Sequence, residues 1–144
     1  MKILSLLNKT LKDDLVIEFL EMYEVEVVYD FDRTHEGLPD LYWASAKQAG
    51  IQLRFNERQI LDTIFCYVKS RDEFEPIAPD SIGVPIFSSF DEAEQDCKNR
   101  GTKYKVPPSS QAWLRVFDSD GDAHYEFRDG CLSMVTLMKS KEEA

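Results

Sequence analysis

From residue 41 onward the hydrophobic pattern of this chain is short, β-like and repeatedly interrupted, and that constrains the fold more than any other feature. "LYWASAKQ" runs through Ala49-Gly50 into "IQLRF", and the polar tetrad "NERQ" leads into "ILDTIFCYV". After Pro107-Pro108 come "AWLRVF", "HYEF" and "CLSMVTLM", the last two joined by "RDG". Glycine and short polar clusters between apolar runs are turn signals, so neighbouring segments are expected to pair as antiparallel meanders.

Two segments follow a helical period instead. Thr10 and Asp13 resemble a helix start, and Leu11, Leu15, Phe19, Leu20 and Tyr23 then recur at helical spacing, opposite Asp13, Asp14, Glu18 and Glu21. Ser89 with Glu92 reads as a capping box opening a short helix that Gly101 ends. Between the first helix and the meander, "EVEVVYDFD" alternates Val25, Val27, Tyr29 and Phe31 with acidic residues, as a strand with one buried face would. Residues 34–40 read as loop, and residues 70–87, with Pro76, Pro79 and Pro85, as an irregular surface crossover. The predicted class is α+β: an antiparallel sheet of about five to seven strands with one main helix and one short helix packed against it. A chain of 144 residues, 43% hydrophobic, suits a single domain over 1–144, with residues 139–144 a frayed charged tail. "LRFNERQILDTIF" and "YEFRDGCLSMVTL" echo each other, Phe55, Leu61 and Ile64 paralleling Phe127, Leu132 and Val135. Two similar hairpins account for this without a repeat family.

The chain's beginning has a five-residue run at residues 3–7 interrupted by Ser5, which meets neither requirement of a secretory leader, and no segment approaches a membrane span. A cytoplasmic location is expected. Cys66, Cys97 and Cys131 are odd in number and widely spaced within apolar or amphipathic stretches, which predicts buried free thiols.

Candidate chemistry is sparse. Asp118, Asp120 and Asp122 alternate, and Asp129 occupies the twelfth place of the loop they begin, the spacing of a calcium loop. The sixth place, however, holds Ala123 where the sharp bend needs glycine, and both flanks have β period. A tight turn over Ser119 to Asp122, built on Asp120-Gly121, explains the same residues. His35 and His124 have no zinc-ligand spacing around them, and "SIGVP" carries one glycine and no lysine, so no metal, phosphate loop or other cofactor is expected. Carboxylate pairs carry no information among 27 acidic residues. The chain is therefore not read as an enzyme.

Charge is more informative. Ten acidic residues (13, 14, 18, 21, 24, 26, 30, 32, 36 and 40) face one arginine between positions 13 and 40, which places −9 of the net −10 in fewer than thirty residues. This composition excludes nucleic acid as a partner, since phosphates would be repelled. Two readings stand side by side. One is a solvated helix face beside an acidic edge strand that resists edge-to-edge pairing. The other is a patch that attracts a basic protein, with Asp14, Glu18, Glu21, Glu24, Glu26, Asp30 and Asp32 in contact, and Asp118, Asp120 and Asp122 touching it from the turn.

The β segments also carry a resemblance. "GIQLRFNERQILDTIFCYV" and "WLRVFDSDGDAHYEFRDGCLSMVTLM", with "LPDLYWASAKQAGI" compatible in order, resemble the hairpin and closing meander of small α+β immunity proteins. Those proteins accompany bacterial polymorphic toxins and contact-dependent growth inhibition systems. The resemblance spans most of residues 10–138 as core positions and turns, without an active-site signature. It implies a protein that binds and neutralises a cognate toxin domain, of the basic nuclease type if the acidic segment is the contact. The alternatives are an enzyme or small-ligand-binding domain of unknown substrate, or an acidic adaptor subunit.

Overall fold

In the computed structural model, which describes residues 2–31 and 35–139, helix α1 (Asp14–Met22) precedes strands β1 (Val27–Asp30), β2 (Leu41–Ala46), β3 (Ile51–Phe55) and β4 (Leu61–Tyr67). Helix α2 (Phe90–Arg100) precedes β5 (Tyr104–Lys105), β6 (Trp113–Val116), β7 (Asp122–Arg128) and β8 (Cys131–Met138). All eight strands join one antiparallel sheet in the order β1-β2-β3-β4-β8-β7-β6-β5. The class is α+β as the periodicity predicts. The sheet is larger than the expected five to seven strands, because the two-residue β5 is too short to leave a pattern and pairs only through Tyr104 with Val116 and Lys105 with Arg115.

The strand order is a palindrome. A helix followed by a four-strand meander occurs twice, and the two meanders meet where Cys66 of β4 opposes Val135 of β8 in antiparallel register. The echo in the sequence falls at equivalent places in the two halves. Phe55 pairs with Leu61 and Phe127 with Leu132, and in each hairpin the register shifts one residue before the phenylalanine. Both turns use left-handed backbone: Gln59 at φ 64° ends the first, and Asp129 (53°) with Gly130 (79°) forms the second, the positive-φ pair a two-residue type I′ hairpin requires.

One sheet face carries the main core. Leu53, Phe55, Leu61, Ile64, Leu114, Tyr125, Val135 and Leu137 meet Val16 and Phe19 of α1 and Phe90, Ala93 and Cys97 of α2 there. Ile3, Leu6 and Leu7 belong to the same cluster, so the apolar run at residues 3–7 contributes to the core. The crossover of residues 70–87 is irregular but not merely surface: Ile77, Ile82 and Phe87 enter the main core, while Phe74 folds onto the opposite face and stacks on Tyr67 at 4.2 Å with Met134 beside it.

Other details depart from the sequence reading. Helix α1 is capped by Asp13, whose side chain accepts from the Leu15 N–H at 3.0 Å. Thr10 is instead drawn into a bridge with Ile60. The later start turns Val16, Phe19 and half-buried Leu20 inward and leaves Leu15 and Tyr23 outside. Strand β1 is shorter than "EVEVVYDFD" suggested and exposed on both faces, because it lies at the end of the sheet with no layer of the described residues over it. Helix α2 matches expectation, with Ser89 accepting from the Glu92 N–H at 3.2 Å and Gly101 left-handed at φ 66°. The Glu92 carboxylate, though, accepts from the Ser88 hydroxyl at 2.6 Å. Of the predicted tail, residues 140–144 lie outside the described residues. No helix among the described residues is long and apolar enough to cross a membrane.

Cys66 and Cys97 are buried as expected, whereas Cys131 is exposed, since it opens β8 next to the hairpin turn. Burial pushes the Cys66 thiol up to about 12 and raises Cys97 as well, with Asp96 adding to the effect. Thiolate is the reactive form, so one of the three thiols should react quickly with a disulfide reagent at pH 8 in the native protein, and all three after denaturation. Cys131→Ser should abolish the fast phase; two fast equivalents in the native protein would contradict the placement.

Candidate protein-binding face

The segment of residues 13–31 is built so that its charged and apolar side chains both face outward. Helix α1 places seven apolar residues within the nine positions 15–23, more than one stripe can bury against a sheet. Val16 and Phe19 take the core positions, so Leu15 (37% exposed), Ile17 (37%), Met22 (69%) and Tyr23 (42%) are left outside. The helix ends with the Val25 N–H bonded to the Leu20 carbonyl and the Glu24 N–H to the Glu21 carbonyl, the pattern of a Schellman stop. Glu24, at φ 51°, occupies the left-handed place that glycine fills most easily. The chain then enters β1, where Val28 is 61% and Tyr29 47% exposed. Phe31 and Leu38 are also exposed, Tyr29 stacks on Tyr42 at 4.9 Å, and its hydroxyl donates to Asp40 at 2.7 Å. Ionising that hydroxyl would lose this bond and set a phenolate against the carboxylate, which pushes Tyr29 up to about 12. Every large hydrophobic side chain left exposed among the described residues lies within positions 15–38.

The predicted contact residues sort accordingly. Asp14, Glu18 and Glu21 in α1, Glu24 and Glu26 just after it, and Asp30 in β1 are all exposed. Asp14 also lies in the first turn of α1, where a carboxylate suits the helix dipole. Asp32 lies outside the described residues. The sequence reading missed the apolar half of the face; the excess of apolar residues in "LVIEFLEMY" was the available signal.

The aspartates of residues 118–122 do not act as a unit. Their turn is closed by the Gly121 N–H to the Asp118 carbonyl at 3.2 Å, one residue earlier than expected. Asp118 and Asp120 are exposed. Asp122 is 0% exposed and already part of β7, where its carboxylate accepts from the Arg115 guanidinium at 2.9 Å. It is therefore removed from the partner-facing set, because β alternation sets it on the same sheet face as Arg115 and His124, where it is buried against the Arg115 guanidinium. No group of three metal-ligating side chains occurs among the described residues. His124 stacks on Trp113 at 5.3 Å and is held below the usual histidine range, chiefly by burial.

Two hollows adjoin these features. One, about 240 Å³, lies between the 118–121 turn, residues 83–87 and α2, with Asp118, Asp120 and the Asp96–Arg100 ion pair (3.1 Å) around it. It is smaller than the roughly 300–1,000 Å³ typical of small-molecule sites. The other, about 480 Å³, opens beside Met22 and Tyr23 at the end of α1. No protein-family model, no curated protein and no solved structure matches the chain.

Proposed function

We propose that this chain is an immunity protein, without catalytic activity of its own, that captures and neutralises an antibacterial toxin in the cytoplasm. The observation that carries the reading is the coincidence, within residues 13–40, of the exposed large hydrophobics with −9 of the chain's net charge of −10. Solvation alone accounts for the carboxylates but leaves the apolar exposure unexplained, whereas a docking surface needs both. The second half of the fold serves as an internal control. Helix α2 occupies the equivalent place before its own meander, yet its outward residues are polar and charged, with Asp91, Glu92, Lys98 and Arg100 of mixed sign. Apolar exposure is thus not a by-product of the architecture.

The partner suited to such a face is a basic protein. A toxin that cuts nucleic acid has a basic cleft because its substrate is a polyanion, and carboxylates on α1 and β1 would steer encounter while the apolar side chains hold the complex. The test is the association rate with the toxin domain encoded beside this chain. Glu18→Lys, Glu21→Lys, Glu24→Lys and Glu26→Lys together should slow association by about ten-fold or more at low salt, with the difference shrinking as salt rises. Unchanged association at low salt would remove the α1–β1 face from the interface. Failure of the wild-type chain to protect cells that express the toxin would remove the immunity reading itself.

A further inference from the structure

We infer that the 480 Å³ cleft at the C-terminal end of α1 is an anchor site, which receives one large apolar side chain of the partner presented between basic residues. The inference rests on the α1–β1 face being the docking surface and names what that surface grips. Phe19, Ala49, Ile51 and Pro76 line the cleft, and no carboxylate, ammonium or guanidinium group does. It therefore selects for apolar bulk rather than for charge. Met22 in the last turn of α1 and Tyr23 at its C-cap, 69% and 42% exposed, also line it.

Charge lies immediately beside it. Glu18 is four residues before Met22, so helical spacing sets its carboxylate along the Met22 side of the mouth, and Glu21, three residues after Glu18, extends the negative charge along the outer side of the helix. A partner segment entering there meets an apolar hollow flanked by negative charge. The complementary chemistry is an aromatic or long aliphatic side chain with lysine or arginine on either side. Buried anchors of this kind, ringed by near-neutral contacts, dominate the affinity of protein interfaces. A free small apolar molecule fits less well, because exposed apolar side chains continue beyond the helix end at Val27 and Tyr29, which β alternation sets on the same sheet face as core residue Ala44, and call for a partner large enough to cover them.

The probes are two pentapeptides, Lys-Lys-Trp-Lys-Lys and Lys-Lys-Ala-Lys-Lys, titrated against the full chain at low ionic strength and followed by methyl NMR. The tryptophan peptide should bind about ten-fold tighter or better, shifting the methyl resonances of Met22, Ile51 and Ala78. Ala78 is exposed, lines the cleft and has extended backbone (φ −69°, ψ 113°), so Ala78→Phe can fill the hollow without touching the core or the carboxylates. That variant should bring the tryptophan peptide down to the alanine peptide's affinity and leave the alanine peptide unchanged. The four Glu→Lys changes should weaken both peptides by the same factor. Equal affinity of the two peptides, still lost on charge reversal, overturns the anchor cleft while the acidic face stands. Binding indifferent to charge reversal overturns the face beneath it, and no binding of either peptide at millimolar concentration overturns both.

Discussion

Gly50→Ala is expected to lower the unfolding free energy by about 4 kcal/mol or more, in the upper tail for a single substitution. Gly50 ends the short 3-10 turn Lys47–Ala49 in left-handed conformation, φ 71° and ψ 31°. Three backbone hydrogen bonds fasten this corner. The Gly50 carbonyl accepts from the Tyr67 N–H at 2.9 Å, the Lys47 carbonyl from Glu75 at 2.8 Å, and the Tyr67 carbonyl from Ile77 at 2.7 Å. The segment of residues 75–77 is thereby drawn directly over Gly50. A Cβ there would overlap the Glu75 carbonyl oxygen and lie 2.7 Å from the Ile77 nitrogen. Backbone cannot rotate aside as a side chain would, so the corner must open and lose bonds. Gly101→Ala separates this from the cost of the dihedral alone. Gly101 has nearly the same φ, 66°, but nothing within 4 Å of its added Cβ, and should cost only about 1–2 kcal/mol. Urea denaturation of both variants decides the matter; equal losses would mean that the close approach of residues 75–77 contributes nothing.

Asp122→Ala comes second, with an expected loss of about 3 kcal/mol. Its carboxylate is 0% exposed and holds Arg115, whose side chain is only 20% exposed, at 2.9 Å. Removing one partner of a buried pair leaves a charge that neither water nor protein solvates well, which typically costs about 3–5 kcal/mol; the low end applies because Arg115 retains some exposure. The Arg115 guanidinium also lies over the Phe117 ring at 5.4 Å, a contact that softens the loss. The neighbouring aspartates supply the comparison. Asp118→Ala and Asp120→Ala, both exposed, should each stay within about 0.5 kcal/mol of wild type. Replacing the pair together, Asp122→Ala with Arg115→Leu, should recover part of the stability because no charge is stranded. Were the three aspartates to give equal losses in thermal or urea unfolding, the buried pair would not be contributing as described.

These two substitutions mark the boundary between what was legible in the residues and what was not. The left-handed Asp129-Gly130 turn, the Ser89 cap and the Gly101 stop were readable because each depends on the φ and ψ of a few adjacent residues. The α1 boundary was misread for a long-range reason: Thr10, a good cap locally, is claimed by Ile60 fifty positions away. The paired hairpins were visible as an echo, but their place on either side of a palindromic sheet needed β4 and β8 to meet across residues 68–130. The small β5 left no periodicity at all.

The candidate face divides in the same way. Its charge was countable, since ten carboxylates and one arginine between positions 13 and 40 do not depend on conformation. Its apolar half was not, because burial is decided by what other part of the chain arrives as cover, and among the described residues nothing buries β1 or Met22. By itself, then, the sequence determined the α+β class, the cap and stop of α2, the tight turn at Asp129-Gly130, and the location of the negative charge. Tertiary structure alone decided that Asp122 is inside while Asp118 and Asp120 are outside, and that Met22, Tyr23 and Val28 remain exposed beside the carboxylates. Dihedral preference and charge are properties of neighbouring residues, whereas burial is a property of contacts between distant ones.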